Sequence, residues 1–188
     1  MHRLCRALVI LTALAVSAAD DSRAQPADAP EHLEALVWLI GPPWVGAVGD
    51  GDDAAKDVSV WMWAVGGHAL RNVHAVADGA YGGETLLWWD DEEEAYAFVY
   101  VTTGGFTTSG HLRLTDDGAL EGVEDVSGAG VAAGVEAVRS TTRRGDDGEL
   151  VVGVSYLRDR EWGPVQERVY TRSPEATLPC RLDPRCGG

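Results

Sequence analysis

Short segments in which apolar and polar residues alternate follow one another along most of this chain. They lie near residues 44–48, 57–65, 68–76, 83–90, 95–102, 106–115, 119–126, 134–143, 150–157 and 165–172. Turn signals separate them, among them Gly66-Gly67, Asp78-Gly79, Gly104-Gly105 and Asp116-Asp117-Gly118. Alternation places successive side chains on opposite faces of a strand, and such turns join neighbouring strands as hairpins. The pattern therefore predicts an all-β, up-and-down antiparallel meander of about ten strands.

A meander of this size leaves unpaired backbone groups at its two edges, and closing the sheet removes both edges. No helical pattern long enough for a crossover interrupts the strands, so a parallel sheet is disfavoured. We therefore predict one closed β-barrel domain over residues 31–172.

A short apolar helix is predicted over residues 31–40, before the first strand. Its apolar positions follow helical spacing: Leu33, Leu36, Val37 and Ile40. Gly41 and two prolines end the helix and turn the chain. We expect the helix to plug one end of the barrel, Trp44 to anchor the first strand, and Gly46 to let neighbouring backbone approach closely.

The first 24 residues have the composition of a secretory signal peptide. Two arginines, Arg3 and Arg6, precede an apolar run that is too short to span a bilayer, and small residues follow that run. Cleavage after Ala18, Ala19 or Ala24 fits this pattern, and we expect Ala24. Residues 25–30 then form a linker, and the product is a periplasmic or extracellular protein with no membrane insertion after cleavage.

The charge of the chain argues against two classes of partner. Its 30 acidic and 15 basic residues give a net charge of −15, which disfavours binding to nucleic acid and to anionic membrane surfaces. The C-terminal tail, residues 173–188, holds Cys180 and Cys186. In an oxidising compartment these two predict a small disulfide loop, whereas the competing metal pair lacks further ligands nearby.

The stretch "WLIGPPWVG" resembles the opening of the calycin-type barrels, in which a Gly-x-x-Trp-x-Gly element follows a short helix. It is most similar to bacterial lipocalin-like families of unknown function, and more distantly to nitrobindin and the fatty-acid-binding barrels. The stretches "GHALRNVHAVADGAYGGETLLWWD" and "VQERVYTR" look like the matching hairpins and last strand, so the resemblance covers about residues 33–172. Haem binders of the nitrobindin type are expected to supply an axial histidine near the C-terminal end. This chain has no histidine after His111, so we expect no haem bound by that route. We also predict no other cofactor.

Candidate ligand-binding residues follow from residue type and position. They are Trp61, Trp63, Arg71, His74, Trp88, Tyr100 and Arg139. The tryptophans either pack the core or line a cavity, and alternation sends Trp88 and Trp89 to opposite faces. Arg71 and Arg139 either meet a ligand carboxylate or are solvated, with Glu84 and Glu167 as alternative partners.

His74 is an isolated strand histidine, so a structural hydrogen bond and a role as a base are the two interpretations. The acidic stretch at 49–53 begins like a calcium loop but lacks the later ligands of one. The five acids at 90–94 lie at a predicted hairpin tip, where a solvated turn is the first interpretation and weak surface calcium is the alternative. We predict no catalytic residue and no metal site.

Three functions are compatible with these features. The first is a secreted barrel that binds a small, mostly apolar ligand. The second is a barrel enzyme of the isomerase or cyclase type, with His74 or Glu167 as base. The third is a barrel filled by its own side chains that interacts with an envelope partner. An interior cavity distinguishes the first two from the third.

Overall fold

The computed structural model describes residues 26, 29–49, 51 and 54–183. The predicted signal peptide, residues 25, 27 and 28 of the linker, Asp50, Asp52, Asp53 and Cys186 lie outside these residues. Ten antiparallel strands form a closed barrel, which confirms the predicted fold class. The ring consists of β1 (Trp44–Val48), β2 (Ala55–Ala64), β3 (Ala69–Val76), β4 (Tyr81–Asp90), β5 (Ala95–Thr102), β6 (Phe106–Leu114), β7 (Leu120–Gly128), β8 (Ala137–Arg144), β9 (Leu150–Arg158) and β11 (Gln166–Arg172).

The ring closes where the last strand meets the first. β11 pairs with β9 on one side and with β1 on the other, where Arg172 stands opposite Trp44. The two-residue β10 (Glu161–Trp162) forms a small hairpin with the end of β9. A one-turn helix, α2 (Ala129–Ala132), follows β7 and was not predicted.

The N-terminal segment plugs one end of the barrel, but with a different geometry from the predicted helix. It consists of α1 (Glu31–Glu34) and a separate 3₁₀ turn (Val37–Leu39). Leu33, Leu36 and Leu39 are the fully buried residues, and they pack into the main core with side chains from the strands. Their spacing of three matches the three residues per turn of a 3₁₀ helix. The predicted face is therefore correct at Leu33 and Leu36, whereas Leu39 is fully buried in place of Val37 and Ile40, which are half-buried.

Trp44 is the buried anchor that the sequence predicts. Its side chain is 2% exposed, and its indole nitrogen donates a 2.9 Å hydrogen bond to the Leu39 carbonyl. The Arg172 guanidinium lies 3.6 Å from the Trp44 ring centre and donates to the carbonyls of the N-terminal segment: those of Trp38, Ile40 and Pro42. The first strand, the last strand and the plug are thus held together at one point.

The C-terminal tail packs against the outside of the barrel. Leu178 is buried among Val58, Val60 and Val73, which point outward from β2 and β3. The inner faces of these two strands carry other side chains, described below. Among the described residues, no helix is long and apolar enough to cross a bilayer.

Candidate functional site

The barrel encloses a cavity in the half that lies away from the N-terminal plug. Its volume is about 650 Å³, within the range of about 300–1,000 Å³ that small-molecule sites occupy. Apolar side chains form most of the lining, including Trp61, Leu87, Phe98, Phe106, Leu112 and Val138. The cavity reaches the strand ends opposite the plug, at Val48, Val76 and Tyr81. The interior is therefore not filled by the protein's own side chains.

One wall of the cavity carries a hydrogen-bonded set of polar side chains centred on His74. The Nδ1 atom of His74 lies 3.2 Å from Asp57 Oδ1, and its Nε2 atom lies 2.8 Å from the Tyr100 hydroxyl oxygen. Asp57 is 2% exposed. The register pairs Ser59 of β2 with His74 of β3, so Asp57 stands diagonally from His74 on the same inner face.

Tyr170 joins this set from the last strand. Its hydroxyl donates a 2.9 Å hydrogen bond to Asp57 Oδ2. To reach β2 from β11, the Tyr170 ring crosses β1 at Gly46, which pairs with Asp57. A Cβ atom on Gly46 would lie 2.7 Å from the Tyr170 ring. Gly46 thus makes room for a side chain and not for neighbouring backbone, which corrects its predicted role.

Gly83 has the same function on the other side of the set. Tyr100 of β5 reaches His74 of β3 by crossing β4 at Gly83, which pairs with His74. A Cβ atom on Gly83 would lie 2.6 Å from the Tyr100 ring. Two glycines therefore allow two tyrosines to converge on one aspartate–histidine pair. We call Tyr170, Asp57, His74 and Tyr100 the inner polar cluster.

The two phenols of the cluster stay protonated at neutral pH. Burial raises the pKa of Tyr100, and the neighbouring Tyr81 hydroxyl raises it further. Burial also raises the pKa of Tyr170, as does the adjacent Asp57 carboxylate. Each tyrosine consequently has one hydrogen to donate.

Glu124 is a second buried acid in the cavity, on β7, half-way around the ring from β2. It is 8% exposed. Burial raises the pKa of its carboxyl group, while the Ser140 and Thr108 hydroxyls act in the opposite direction. Its environment favours the neutral acid more strongly than water does.

Two arginines also line the cavity. Arg158 lies 5.1 Å from the Tyr156 ring centre, and Arg168 lies beside Tyr170. Neither forms an ion pair with an acid within the described part of the chain. They bring positive charge to the cavity of an otherwise acidic protein.

Four of the seven candidate ligand-binding residues point into the barrel. Trp61, His74 and Tyr100 line the cavity, whereas Trp63 packs into the core beside the plug. The Trp63 indole nitrogen is buried and has no hydrogen-bond partner among the described residues.

The other three candidates lie on the outer face and do not line the cavity. Arg71 forms a 2.6 Å ion pair with Glu84, one of the two predicted alternative partners. Arg139 lies 4.3 Å from the Trp162 ring centre. Trp88 is 36% exposed, and its neighbour Trp89 is the tryptophan that packs into the core.

The remaining polar candidates also lie outside the cavity. Glu167, proposed as an alternative base, forms a 3.3 Å ion pair with Arg143 on the outer face. In the acidic turn at 90–94, Asp90 accepts hydrogen bonds from the backbone of Glu92 and Glu93 and lies 3.1 Å from His111. Within the described ranges, no group of three or more potential ligand side chains is placed to hold a metal ion.

Five polar residues of the site described above were not singled out from the sequence: Asp57, Glu124, Arg158, Arg168 and Tyr170. Asp57 had a detectable signal, because Asp57, Ser59 and Trp61 share one face of a strand whose other face is apolar. Glu124 and Tyr170 lie among charged residues and had no such signal.

The fold is similar to those of proteins of known structure. The crystal structure of Rv2717c from M. tuberculosis matches with a TM-score of 0.56 and 21% identity, over 78% of this chain and 99% of that chain. This likeness concerns the fold alone. Neither a family model nor a curated protein matches the chain. The resemblance to lipocalin-like and nitrobindin barrels therefore stays a prediction.

Proposed function

We propose that this chain is an exported, periplasmic or extracellular protein that binds a small, mostly apolar ligand inside its barrel. The cavity of about 650 Å³ is the observation that carries the proposal. Its aromatic and aliphatic lining suits an apolar ligand body, and the inner polar cluster offers a few fixed polar groups on one wall. That combination is typical of small-molecule sites. The same cavity argues against a filled barrel that acts only through its outer surface.

Native mass spectrometry of protein purified without denaturation tests this proposal. We expect an additional mass that is released on unfolding, and uptake of the apolar dye Nile red by protein stripped of that mass. The variant Val138→Phe adds volume to the cavity lining and should weaken uptake. Val123→Phe is the matched control, because Val123 is 54% exposed on the outer face of β7. A wild-type protein that carries nothing and takes up no dye would contradict ligand binding.

A second candidate function is an acid–base enzyme of the isomerase or cyclase type. The inner polar cluster favours it, because an aspartate that orients a histidine is a recurring arrangement in proton transfer. His74 and Tyr100 both line the cavity, and the contact of His74 Nε2 with the Tyr100 hydroxyl lets a proton pass between the imidazole and a ligand through that hydroxyl. Incubating the stripped protein with the recovered ligand distinguishes the two functions. An enzyme changes the ligand's mass or isomer composition, and a binding protein returns it unaltered.

A further inference from the structure

The hydrogens of the inner polar cluster are ordered by Asp57. A carboxylate group only accepts hydrogen bonds. Asp57 accepts one from the Tyr170 hydroxyl at Oδ2, and its Oδ1 atom lies 3.2 Å from His74 Nδ1. The contact with Oδ1 is a hydrogen bond only when the hydrogen of the imidazole ring sits on Nδ1. Asp57 therefore selects one tautomer of His74.

This tautomer determines the direction of the next hydrogen bond. A neutral imidazole with its hydrogen on Nδ1 has a bare Nε2 atom, which can only accept. The 2.8 Å contact between His74 Nε2 and Tyr100 is then donated by the Tyr100 hydroxyl. Both tyrosines of the cluster thus donate their single hydroxyl hydrogen within the cluster: Tyr170 donates to Asp57, and Tyr100 donates to His74. The Tyr100 oxygen consequently presents lone pairs and no hydrogen to its surroundings in the cavity, which include the neighbouring Tyr81 hydroxyl.

We propose that the inner polar cluster selects a neutral ligand whose polar end is a hydrogen-bond donor, such as the hydroxyl group of an apolar alcohol or phenol. The inference rests on the proposed ligand-binding function and specifies its chemistry. An ether or ketone of the same shape leaves the Tyr100 lone pairs facing another acceptor. A buried polar atom without a partner is costly, so the site rejects such a ligand.

The cavity arginines make a competing prediction, which the experiment has to separate. Arg158 and Arg168 would favour an anion such as a carboxylate. Arg168, however, lies beside Tyr170, and Arg158 is largely exposed. An exposed charge remains solvated and contributes little to selection. We therefore place the selection at Tyr100.

Four probes with one apolar body distinguish these possibilities: naphthalene, 2-naphthol, 2-methoxynaphthalene and 2-naphthoate. Their dissociation constants are measured by equilibrium dialysis at pH 8. We expect 2-naphthol to bind about tenfold more tightly than 2-methoxynaphthalene, the ratio that one net hydrogen bond supplies. Tightest binding of 2-naphthoate would overturn the inference in favour of the arginines.

Removing the acceptor tests where the preference originates. Tyr100→Phe should bring 2-naphthol and 2-methoxynaphthalene to equal affinity. Tyr96→Phe is the matched control, because the Tyr96 hydroxyl lies on the same strand but donates to the His32 carbonyl outside the cavity lining. A preference for 2-naphthol that persists in Tyr100→Phe contradicts the inference.

The most specific test reverses the donor and acceptor roles in the hydrogen bonds between residue 57, His74 and Tyr100. In Asp57→Asn, the amide oxygen can still accept from Tyr170 while the amide nitrogen donates to His74 Nδ1, which forces the other tautomer. His74 Nε2 then donates to Tyr100, whose hydroxyl hydrogen turns to the cavity. We expect the preference to shift toward 2-methoxynaphthalene, whereas Asp125→Asn, on the exposed outer face of β7, should keep the wild-type order.

Failure of the inference and failure of the proposed function have different signatures. Equal binding of all four probes by the wild-type protein leaves the ligand-binding function standing and overturns donor selection. No binding of any probe, together with no uptake of Nile red, overturns both.

Discussion

The Tyr170 hydroxyl lies 2.9 Å from Asp57 Oδ2, and the Tyr170 ring passes over Gly46 of the strand between them. These residues occupy three adjacent strands, so a side chain on Gly46 would separate the other two. The identity of residue 46 is thus as important for the cluster as the polar groups themselves.

Gly46→Ala should destabilise the protein by about 1–3 kcal/mol, the usual cost of overpacking a closely packed site. The added methyl group lies too close to the Tyr170 ring, which must move away from Asp57. Gly163→Ala is the control, because its Cβ would meet nothing closer than 3.6 Å. Chemical denaturation gives the free energies of unfolding. If the clash is the cause, Gly46→Ala combined with Tyr170→Ala costs less than the sum of the two single changes.

Trp44→Ala should cost about 3–5 kcal/mol of stability, because it removes a large buried side chain. It also removes the hydrogen bond to the Leu39 carbonyl and the ring on which Arg172 stacks. Trp88→Ala should cost clearly less, since Trp88 is 36% exposed. Urea denaturation of both variants provides the comparison. Equal costs for the two tryptophans would contradict the role of Trp44 as an anchor.

The fold was predictable from sequence because its information is local. Alternation and turn residues define each strand and its hairpin, and a double proline before Trp44 marks the start of the barrel. The inward-facing side chains were harder to predict in strands where odd-numbered and even-numbered positions are both apolar, as at Trp88 and Trp89. In such strands only the pairing register with the neighbouring strands determines which side chains point into the barrel. The register also places Arg71 on the outer face.

The inner polar cluster could not be predicted by local reasoning. Tyr170 and Asp57 are 113 residues apart, and they meet only because β11 and β2 flank the same strand. Gly46 and Gly83 are likewise explained by a tyrosine on the adjacent strand, which needs the space that a side chain would fill. No residue of the glycine's own strand indicates this requirement.

Glu124→Gln should stabilise the protein near neutral pH but not in acid. Burial raises the folded-state pKa of Glu124, so the unfolded chain ionises first as the pH rises. As the pH rises from the unfolded-state pKa of the carboxyl group to its higher folded-state pKa, the free energy of unfolding of the wild type therefore decreases. The amide of the variant does not titrate, so its free energy of unfolding lacks this decrease. Denaturation at pH 4 and pH 7.5 checks this sign. Glu121→Gln, exposed on the same strand, should show no such difference.

Ferric haem should form no stoichiometric complex with this protein. His74 is the histidine that lines the cavity in the described part of the chain, and its two nitrogens contact Asp57 and Tyr100. We expect no sharp Soret shift on titration. A five-coordinate spectrum that disappears in His74→Ala would contradict this expectation.

The pair Cys180 and Cys186 is predicted to form a disulfide in the exported protein. Cys186 lies outside the described residues, so the prediction rests on the sequence. Intact-mass analysis after thiol alkylation should show no label unless the protein is first reduced. Two labelled cysteines in non-reduced periplasmic material would contradict it.

The pairing of Trp44 with Arg172 has a kinetic consequence. Every other strand pair of the ring is joined by a short connection, whereas this one closes a loop that spans the whole barrel. Non-local contacts form late, so we expect the strands to assemble first as an open, curled sheet. Tyr170 and Asp57 lie on opposite sides of this final closure. A ligand bound to the cluster would then stabilise the closed pairing of β1 with β11. It would slow unfolding more than it accelerates folding.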